Sequence, residues 1–249
     1  MGKVIVFGNS LFAELVHFYL THDSHHTVTA FTVDSTYIHE DKLFGLPVVP
    51  FENVESIFPP AGHHMIISAG FQKVNRLREE RYSQAKKKGY QLINYISSKA
   101  TTFPGLVTGD NCLILENSVV APFVEIGNNV TVASGAIIGH HSVLMDHSFV
   151  APGAILLGGV TLEPFGFVGA HATIKERVTV ARECIVGTGV SVTKNTREKG
   201  VYVGRPPELL PKSSDELGTW LSWSLDPHKQ GWGAKEVVSQ QAVGVDLRP

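Results

Sequence analysis

A repeat of six residues is the feature of this sequence that most limits its fold. From residue 114 to residue 192, every sixth residue is aliphatic. The series is Ile114, Val120, Ile126, Val132, Ile138, Leu144, Val150, Leu156, Leu162, Val168, Ile174, Val180, Val186 and Val192. A period of six fits neither an α-helix nor a single alternating strand, but it fits a coil with three short flat faces per turn. The sequence therefore predicts a solenoid of five eighteen-residue coils over residues 108–197.

A second column of residues supports this prediction. A small or β-branched residue follows four positions after each aliphatic one, for example Ser118, Ala136 and Ala154. We expect both columns to point into the coil. The two cysteines, Cys112 and Cys184, fall in the second column four coils apart, or roughly 19 Å at strand spacing. They are therefore expected to be buried apolar residues and not to form a disulfide.

Charge and hydropathy exclude some classes of function. The chain has 21 Lys and Arg against 23 Asp and Glu, so no basic surface is implied and nucleic acid is a poor partner. The apolar residues 4–7 are too few for a signal sequence, and no later run approaches eighteen apolar residues. The sequence thus predicts a cytoplasmic protein with no membrane span.

Residues 1–98 have a different pattern, in which apolar strands alternate with helices. Strands are expected at 4–7, 27–33, 64–69 and 92–96, an apolar helix after residue 10 and a charged helix over 72–88. This alternation indicates a small parallel sheet. We therefore predict three regions: a Rossmann-like domain over 1–98, the coil domain over 99–204, and an extension over 205–249. The extension holds Trp220, Trp223 and Trp232, which are expected to cover the last coil or a neighbouring subunit.

Two elements together carry a family resemblance. They are the opening Val-Ile-Val-Phe-Gly-Asn-Ser of residues 4–10 and the Ile138-Gly139-His140 motif within the coil. The chain resembles the hexapeptide-repeat sugar acyltransferases of the sialic-acid O-acetyltransferase and bacillosamine-type N-acetyltransferase kind. The resemblance implies an α/β half-Rossmann domain followed by a left-handed parallel β-helix, a homotrimer, and acetyl-CoA bound along a groove between coils. It also implies a sugar acceptor, nucleotide-activated and used in surface glycan synthesis, that binds beside the first domain.

By this resemblance His140 is the general base that takes a proton from the acceptor. Histidine suits this role because its unperturbed pKa is near 6.5. The family often has a glutamate next, which orients the imidazole, but this chain has His141. Asp146 is the candidate substitute. The sequence leaves open whether the product is an amide or an ester.

The resemblance also suggests residues for the coenzyme. Gly169 and Ala170, and then Gly187 and Thr188, are small enough for the pantetheine arm to approach the backbone. Glycine equally suits a coil corner. Phe149 stands where relatives often have a histidine near the thioester, and Arg205, in Gly-Arg-Pro, is placed to meet phosphates or to remain in solvent.

For the acceptor, the loop after the first strand and the end of the second strand are the candidates. Gly8, Asn9 and Ser10 can present backbone amides at a helix N-terminus. Asp34 is at the position where relatives have an acidic residue that binds the base or ribose of the nucleotide. Leu11 and Phe12 replace the Gly-His pair that many relatives carry.

Two other classes of function stay open. His140, His141 and His147 lie within eight residues, but no second histidine recurs eighteen residues from His141 or His147, so no metal is expected. A metalloenzyme with a site at a trimer interface is the less favoured alternative. A non-catalytic trimeric scaffold or ligand sensor is the other, since the glutamate and the Gly-His pair are missing.

Overall fold

The computed structural model describes residues 2–204, and the chain begins with an α/β region. Its strands are β1 (Lys3–Phe7), β2 (Thr27–Val33), β3 (Lys42–Leu43), β4 (Leu46–Pro50) and β5 (His64–Ile67). They form one sheet in the order β3-β4-β2-β1-β5, parallel except for the β3–β4 pair. The helices are α1 (Leu11–His22), α2 (Val54–Ile57) and α3 (Arg76–Lys87), with 3-10 turns at Ser35–Tyr37 and Phe51–Asn53.

Burial explains why these residues form these elements. The strands β1 and β5 are almost wholly buried and read as continuous apolar runs, as expected for a parallel sheet covered on both faces. Helix α1 buries Ala13, Val16 and Leu20, which recur at helical spacing along one face. The carboxyl ends of β1, β2 and β5 meet at one edge of the sheet, and Gly8, Asp34 and Ser68 follow them there.

Two expectations for this region were wrong. The charged helix begins at Arg76 and not near residue 72, because Lys73, Val74 and Asn75 have φ angles of 50°, 52° and 63° and make a left-handed turn. The strand expected over 92–96 is reduced to Tyr95–Ile96, which pairs with the coil strand Leu113–Ile114. Only Leu92 bridges back to the α/β sheet, at Met65.

The remainder of the described chain is a parallel β-helix of two-residue strands. Face 1 contains β7 (Val107–Thr108), β10 (Glu125–Ile126), β13 (Val143–Leu144), β16 (Thr161–Leu162) and β19 (Thr179–Val180). Face 2 contains β6 (Tyr95–Ile96), β8 (Leu113–Ile114), β11 (Thr131–Val132), β14 (Phe149–Val150), β17 (Phe167–Val168), β20 (Ile185–Val186) and β22 (Val201–Tyr202). Face 3 contains β9 (Val119–Val120), β12 (Ile137–Ile138), β15 (Ile155–Leu156), β18 (Thr173–Ile174) and β21 (Ser191–Val192).

The interior of the coil confirms the six-residue prediction. Every member of the aliphatic series from Ile114 to Val192 is buried, and the second column fills the space between them. Cys112 and Cys184 are buried free thiols, as expected. The fold class predicted from the sequence, an α/β half-Rossmann region followed by a left-handed parallel β-helix, is also confirmed.

Each corner of the coil contains a residue with a left-handed backbone. Corner 3/1, which joins face 3 to face 1, has Phe123, His141, Gly159 and Arg177 in this conformation, one per coil. Corner 1/2 has Asn111, Asn129, His147, Phe165 and Glu183. Corner 2/3 has Asn117, Gly135, Gly153, His171 and Gly189. These positions stack eighteen residues apart, so each corner carries a column of equivalent positions along the coil axis, in which glycines interrupt the side chains at corners 3/1 and 2/3.

The α/β region packs on face 2. Arg78 of α3 is fully buried there and donates to the Thr131 hydroxyl and to the Ser148 carbonyl oxygen, 3.1 Å away. The side chain of Asn111 pairs with the backbone of Ile67, accepting from its N–H at 2.7 Å and donating to its carbonyl at 3.3 Å. These buried polar contacts fix the sheet edge against the coil.

None of the helices within residues 2–204 is long and apolar enough to cross a membrane. The predicted division into three domains stays a prediction. Arg205 and the three tryptophans lie outside the described residues.

Candidate functional site

Corner 3/1 of the coil positions His140. Gly139 lets the chain pass close to the next coil, because a β-carbon there would lie 2.6 Å from the backbone of Leu157 and Gly158. His141 then adopts the left-handed conformation, with a φ of 58°. The turn leaves both imidazoles exposed on the outside of the coil.

The ring of His140 is held on two sides. It lies over Gly158, where a β-carbon would come within 2.7 Å of its Cε1 atom. Its Nδ1 atom is 3.0 Å from Nδ1 of His141, and the two rings are nearly perpendicular at 88°. Within residues 2–204 the Nε2 atom has no hydrogen-bond partner, so it is the ring atom available to a substrate.

Apolar side chains surround this pair. The ring of His141 packs on Phe123, with centroids 4.7 Å apart. Phe123 is 74% exposed, and Ile137 and Leu157 are also exposed near the same corner. An exposed apolar rim around polar groups is typical of a surface that meets another molecule.

Asp146 does not lie beside His140 in the protomer. It occupies corner 1/2, where its carboxylate accepts from the backbone N–H of Asn128 at 2.7 Å and from the side-chain amide of Asn128. Asp146 therefore ties two successive coils together. Next to it, burial lowers the pKa of His147, whose Nδ1 meets the Asn129 amide at 3.0 Å.

The predicted coenzyme residues are at corner 2/3. A β-carbon on Gly169 would lie 2.7 Å from the backbone of Val186 and Gly187, so glycine is already required by the stacking of coils. Ala170 is half-buried and Thr188 is exposed. These positions leave a small-residue surface along the corner.

Phe149 lies on face 2 within an aromatic cluster that the sequence did not reveal. It stacks on Phe167, with centroids 5.4 Å apart, and Phe71 from the loop after β5 contacts both rings. Phe71 is 56% exposed. The cluster thus lies beside the carboxyl edge of the α/β sheet.

The predicted acceptor residues are at that same edge. Gly8 has a φ of 125°, and a β-carbon there would lie 2.9 Å from the Ser68 hydroxyl. The amide of Asn9 donates to the Tyr37 carbonyl at 2.8 Å. Ser10 is the N-cap of α1, without a capping hydrogen bond from its side chain.

Asp34 is already paired. Its carboxylate accepts from Arg81 at 2.6 Å, a partner that sequence analysis missed because it lies on α3, 47 residues away. The neighbouring Glu52 accepts from the backbone N–H of Ser35, which lowers the pKa of that carboxyl. An open groove of about 630 Å³ runs beside these groups.

Among the residues that the structure describes, one protomer does not bring the predicted groups together. The α/β region covers face 2, whereas His140 is at corner 3/1, which joins the other two faces. The coenzyme residues are at corner 2/3, one full face away from His140, or about 20 Å for six extended residues. The described residues contain no group of three histidine, cysteine, aspartate or glutamate side chains arranged to hold a metal ion.

Comparison with known proteins finds one family pattern and several solved structures that are similar to this chain. The pattern of the bacterial transferase hexapeptide family (six repeats) matches residues 105–140. No curated protein sequence matches the chain.

Several solved structures have a similar fold. A histidine variant of perosamine N-acetyltransferase from Caulobacter crescentus, in complex with CoA and GDP-perosamine, has a TM-score of 0.75 at 23% identity, covering 82% of this chain and 94% of that one. WeeI from Acinetobacter baumannii AYE has a TM-score of 0.69 at 25% identity, covering 84% and 100%. The acetyltransferase domain of PglB from Neisseria gonorrhoeae FA1090 has a TM-score of 0.72 at 21% identity, covering 84% and 99%. The chain thus contains a hexapeptide-repeat segment at residues 105–140 and has the same fold as these solved structures.

Proposed function

We propose that this protein is an acetyl-CoA-dependent acetyltransferase that modifies an amino or hydroxyl group of a sugar, with a nucleotide-linked amino sugar of a surface glycan pathway as the favoured acceptor. The observation that carries the proposal is the His140 imidazole, which is fixed against Gly158 and His141 and whose Nε2 atom has no hydrogen-bond partner among residues 2–204. Support comes from similar folds solved with CoA and a nucleotide sugar, or with acetyl-CoA.

In this mechanism, Nε2 of His140 takes the proton from the acceptor nitrogen or oxygen as that atom attacks the thioester carbonyl. A new C–N or C–O bond forms, and a backbone N–H of the coil stabilises the oxyanion. Collapse of the tetrahedral intermediate breaks the C–S bond. The His140 imidazolium returns its proton to the CoA thiolate, so the base is regenerated.

The positions of the remaining predicted residues support the proposed coenzyme and acceptor sites. The small residues Gly169, Ala170, Gly187 and Thr188 give the pantetheine arm access to the backbone at corner 2/3, and Phe149 is near this corner on face 2. The acceptor is assigned to the carboxyl edge of the α/β sheet, with Gly8, Asn9 and Ser10 at the head of α1 and the Asp34–Arg81 pair beside it. Ligands of parallel α/β sheets commonly bind outside this edge.

The separation of these groups supports a homotrimer as the active form. Since face 2 and corner 3/1 are on opposite sides of one coil, the acceptor edge of one protomer needs the His140 of another. The exposed Phe123, Ile137 and Leu157 beside His140 are suited to an interface between copies.

The test is thiol release from acetyl-CoA against UDP-, GDP- and dTDP-linked amino sugars and free nonulosonic acids. His140→Ala is compared with the wild type and with His22→Ala, which removes an exposed histidine from the end of α1. We expect turnover with one acceptor, loss of about 100-fold or more in His140→Ala, and no change in His22→Ala. Mass and alkali stability of the product distinguish an amide from an ester. Absence of acetyl-CoA binding by the wild type would instead favour a non-catalytic scaffold.

A further inference from the structure

We propose that His141 is the positioning residue of this site, and that its imidazole replaces the carboxylate expected beside a catalytic histidine. This inference rests on the proposed function, because it assigns the base to His140. The residues involved are neighbours in sequence, and the left-handed backbone of His141 turns its side chain back toward the preceding ring.

The geometry limits the pair to one shared proton. The two Nδ1 atoms are 3.0 Å apart, which is a hydrogen-bond distance for one N–H and one lone pair. Two arrangements are possible: His140 donates to His141, or His141 donates to His140. With a proton on both Nδ1 atoms, two N–H groups would face each other at this distance.

Only one arrangement makes His140 a base at the free atom. If Nδ1 of His140 carries the proton, Nε2 has the lone pair that the reaction requires. Uptake of the acceptor's proton then produces an imidazolium that still donates through Nδ1 to His141. No tautomer change is needed during the reaction.

Packing fixes the orientation of the His141 ring. The ring makes a tilted contact with Phe123, which occupies the same left-handed corner one coil earlier. Within residues 2–204, no carboxylate forms a hydrogen bond or ion pair with His140 or His141. Nδ1 of His141 is therefore the hydrogen-bond partner that the described residues provide for His140, and it brings no carboxylate charge to the pair.

A partner that is an imidazole and not a carboxylate also bears on the choice between an amine and a hydroxyl as the acetyl acceptor. A carboxylate strengthens a histidine base by stabilising the imidazolium electrostatically, whereas a neutral imidazole supplies only a hydrogen bond. Such a base is better matched to an amine, which attacks through an existing lone pair, than to a hydroxyl. The His140–His141 pair therefore favours amide formation.

Three substitutions at residue 141 test the role. His141→Phe keeps a ring against Phe123 but removes the acceptor, and we expect kcat to fall about 10- to 100-fold with little change in KM. His141→Asn and His141→Glu each return an acceptor oxygen, and we expect both to recover most of the activity. Arg177→Phe is the matched control, since Arg177 has the same left-handed corner position two coils later and is exposed.

A second readout does not depend on turnover. Long-range ¹H–¹⁵N spectra of the imidazoles report which nitrogen of His140 carries the proton. We expect Nδ1–H in the wild type and a shift toward Nε2–H in His141→Phe. An Nε2–H tautomer in the wild type, or full kcat in His141→Phe, would overturn the proposal. If the wild type acetylates nothing, the proposed function fails separately while the spectra still decide the role of His141.

Discussion

The contact between Gly158 and His140 leads to a sharp prediction for Gly158→Ala. A β-carbon at residue 158 would be 2.7 Å from Cε1 and 2.8 Å from Nε2 of His140. Since non-bonded carbon atoms prefer about 3.5 Å or more, the ring must move by roughly 1 Å. A displacement of that size at a reacting group can cost about 100-fold in rate, so we expect kcat to fall by about 10- to 100-fold.

Stability should respond very differently. The atoms in the way belong to an exposed side chain that can move, and the backbone at residue 158 is not in the left-handed region. Replacing such a glycine by alanine also lowers the entropy of the unfolded chain, which contributes about 0.4–1 kcal/mol. The free energy of unfolding should therefore change by no more than about 1 kcal/mol.

Two matched variants make this reasoning testable by urea denaturation and steady-state kinetics. In Gly169→Ala the new atom meets backbone 2.7 Å away, which cannot move without separating two coils, so a loss of about 1–3 kcal/mol is expected. In Gly62→Ala no atom lies within 4 Å, and neither activity nor stability should fall. Wild-type kcat in Gly158→Ala would refute the placement of the His140 ring in the active enzyme.

Two further predictions concern pH and assembly. Burial lowers the pKa of His17, His26 and His147 in the folded protein, so the unfolded chain binds more protons below about pH 6.5. The free energy of unfolding should therefore fall as pH drops from about 7.5 to about 5.5. A stability that does not change with pH would contradict this. For assembly, His140→Ala is co-expressed with Gly70→Trp, whose side chain would enter open space at the acceptor edge. If the site is shared, each site needs an intact His140 from one protomer and an intact acceptor edge from the next, and about one quarter of the sites in a random mixture have both. Each variant alone should then be inactive, and activity should return only in the mixed oligomers.

The sequence predicted the coil well because its period is a direct consequence of the fold. Each six-residue step must put one aliphatic side chain into a narrow interior, so position in the repeat decides burial. The same spacing already separated His140 from Asp146, since six residues lead to the next corner. Asp146 could therefore have been excluded as a partner within the protomer.

Other features of the fold could not be predicted from the pattern of the sequence. The helix start at Arg76 depends on a left-handed turn through Lys73 and Val74, residue types for which that conformation is unfavourable. The strand Tyr95–Ile96 reads like a sheet strand, but the exposed edge of the first coil provides its partner. The buried Arg78 depends on acceptors 53 and 70 residues away.

The left-handed corner positions hold side chains that stabilise the coil and also His141 of the proposed catalytic pair. A non-glycine residue at such a corner is strained, but this strain cannot single out His141, because Phe123 and Arg177 bear it in the same column. What distinguishes His141 is its contact with the neighbouring ring. At corner 1/2 the equivalent residues Asn111, Asn129 and His147 join one another along the coil axis and stabilise the stack. At corner 3/1 the column is broken by Gly159, so the His141 imidazole is free to contact His140 instead. The same backbone conformation thus builds a column of hydrogen-bonded side chains at one corner and, where such a column is interrupted, a place for the proposed catalytic pair.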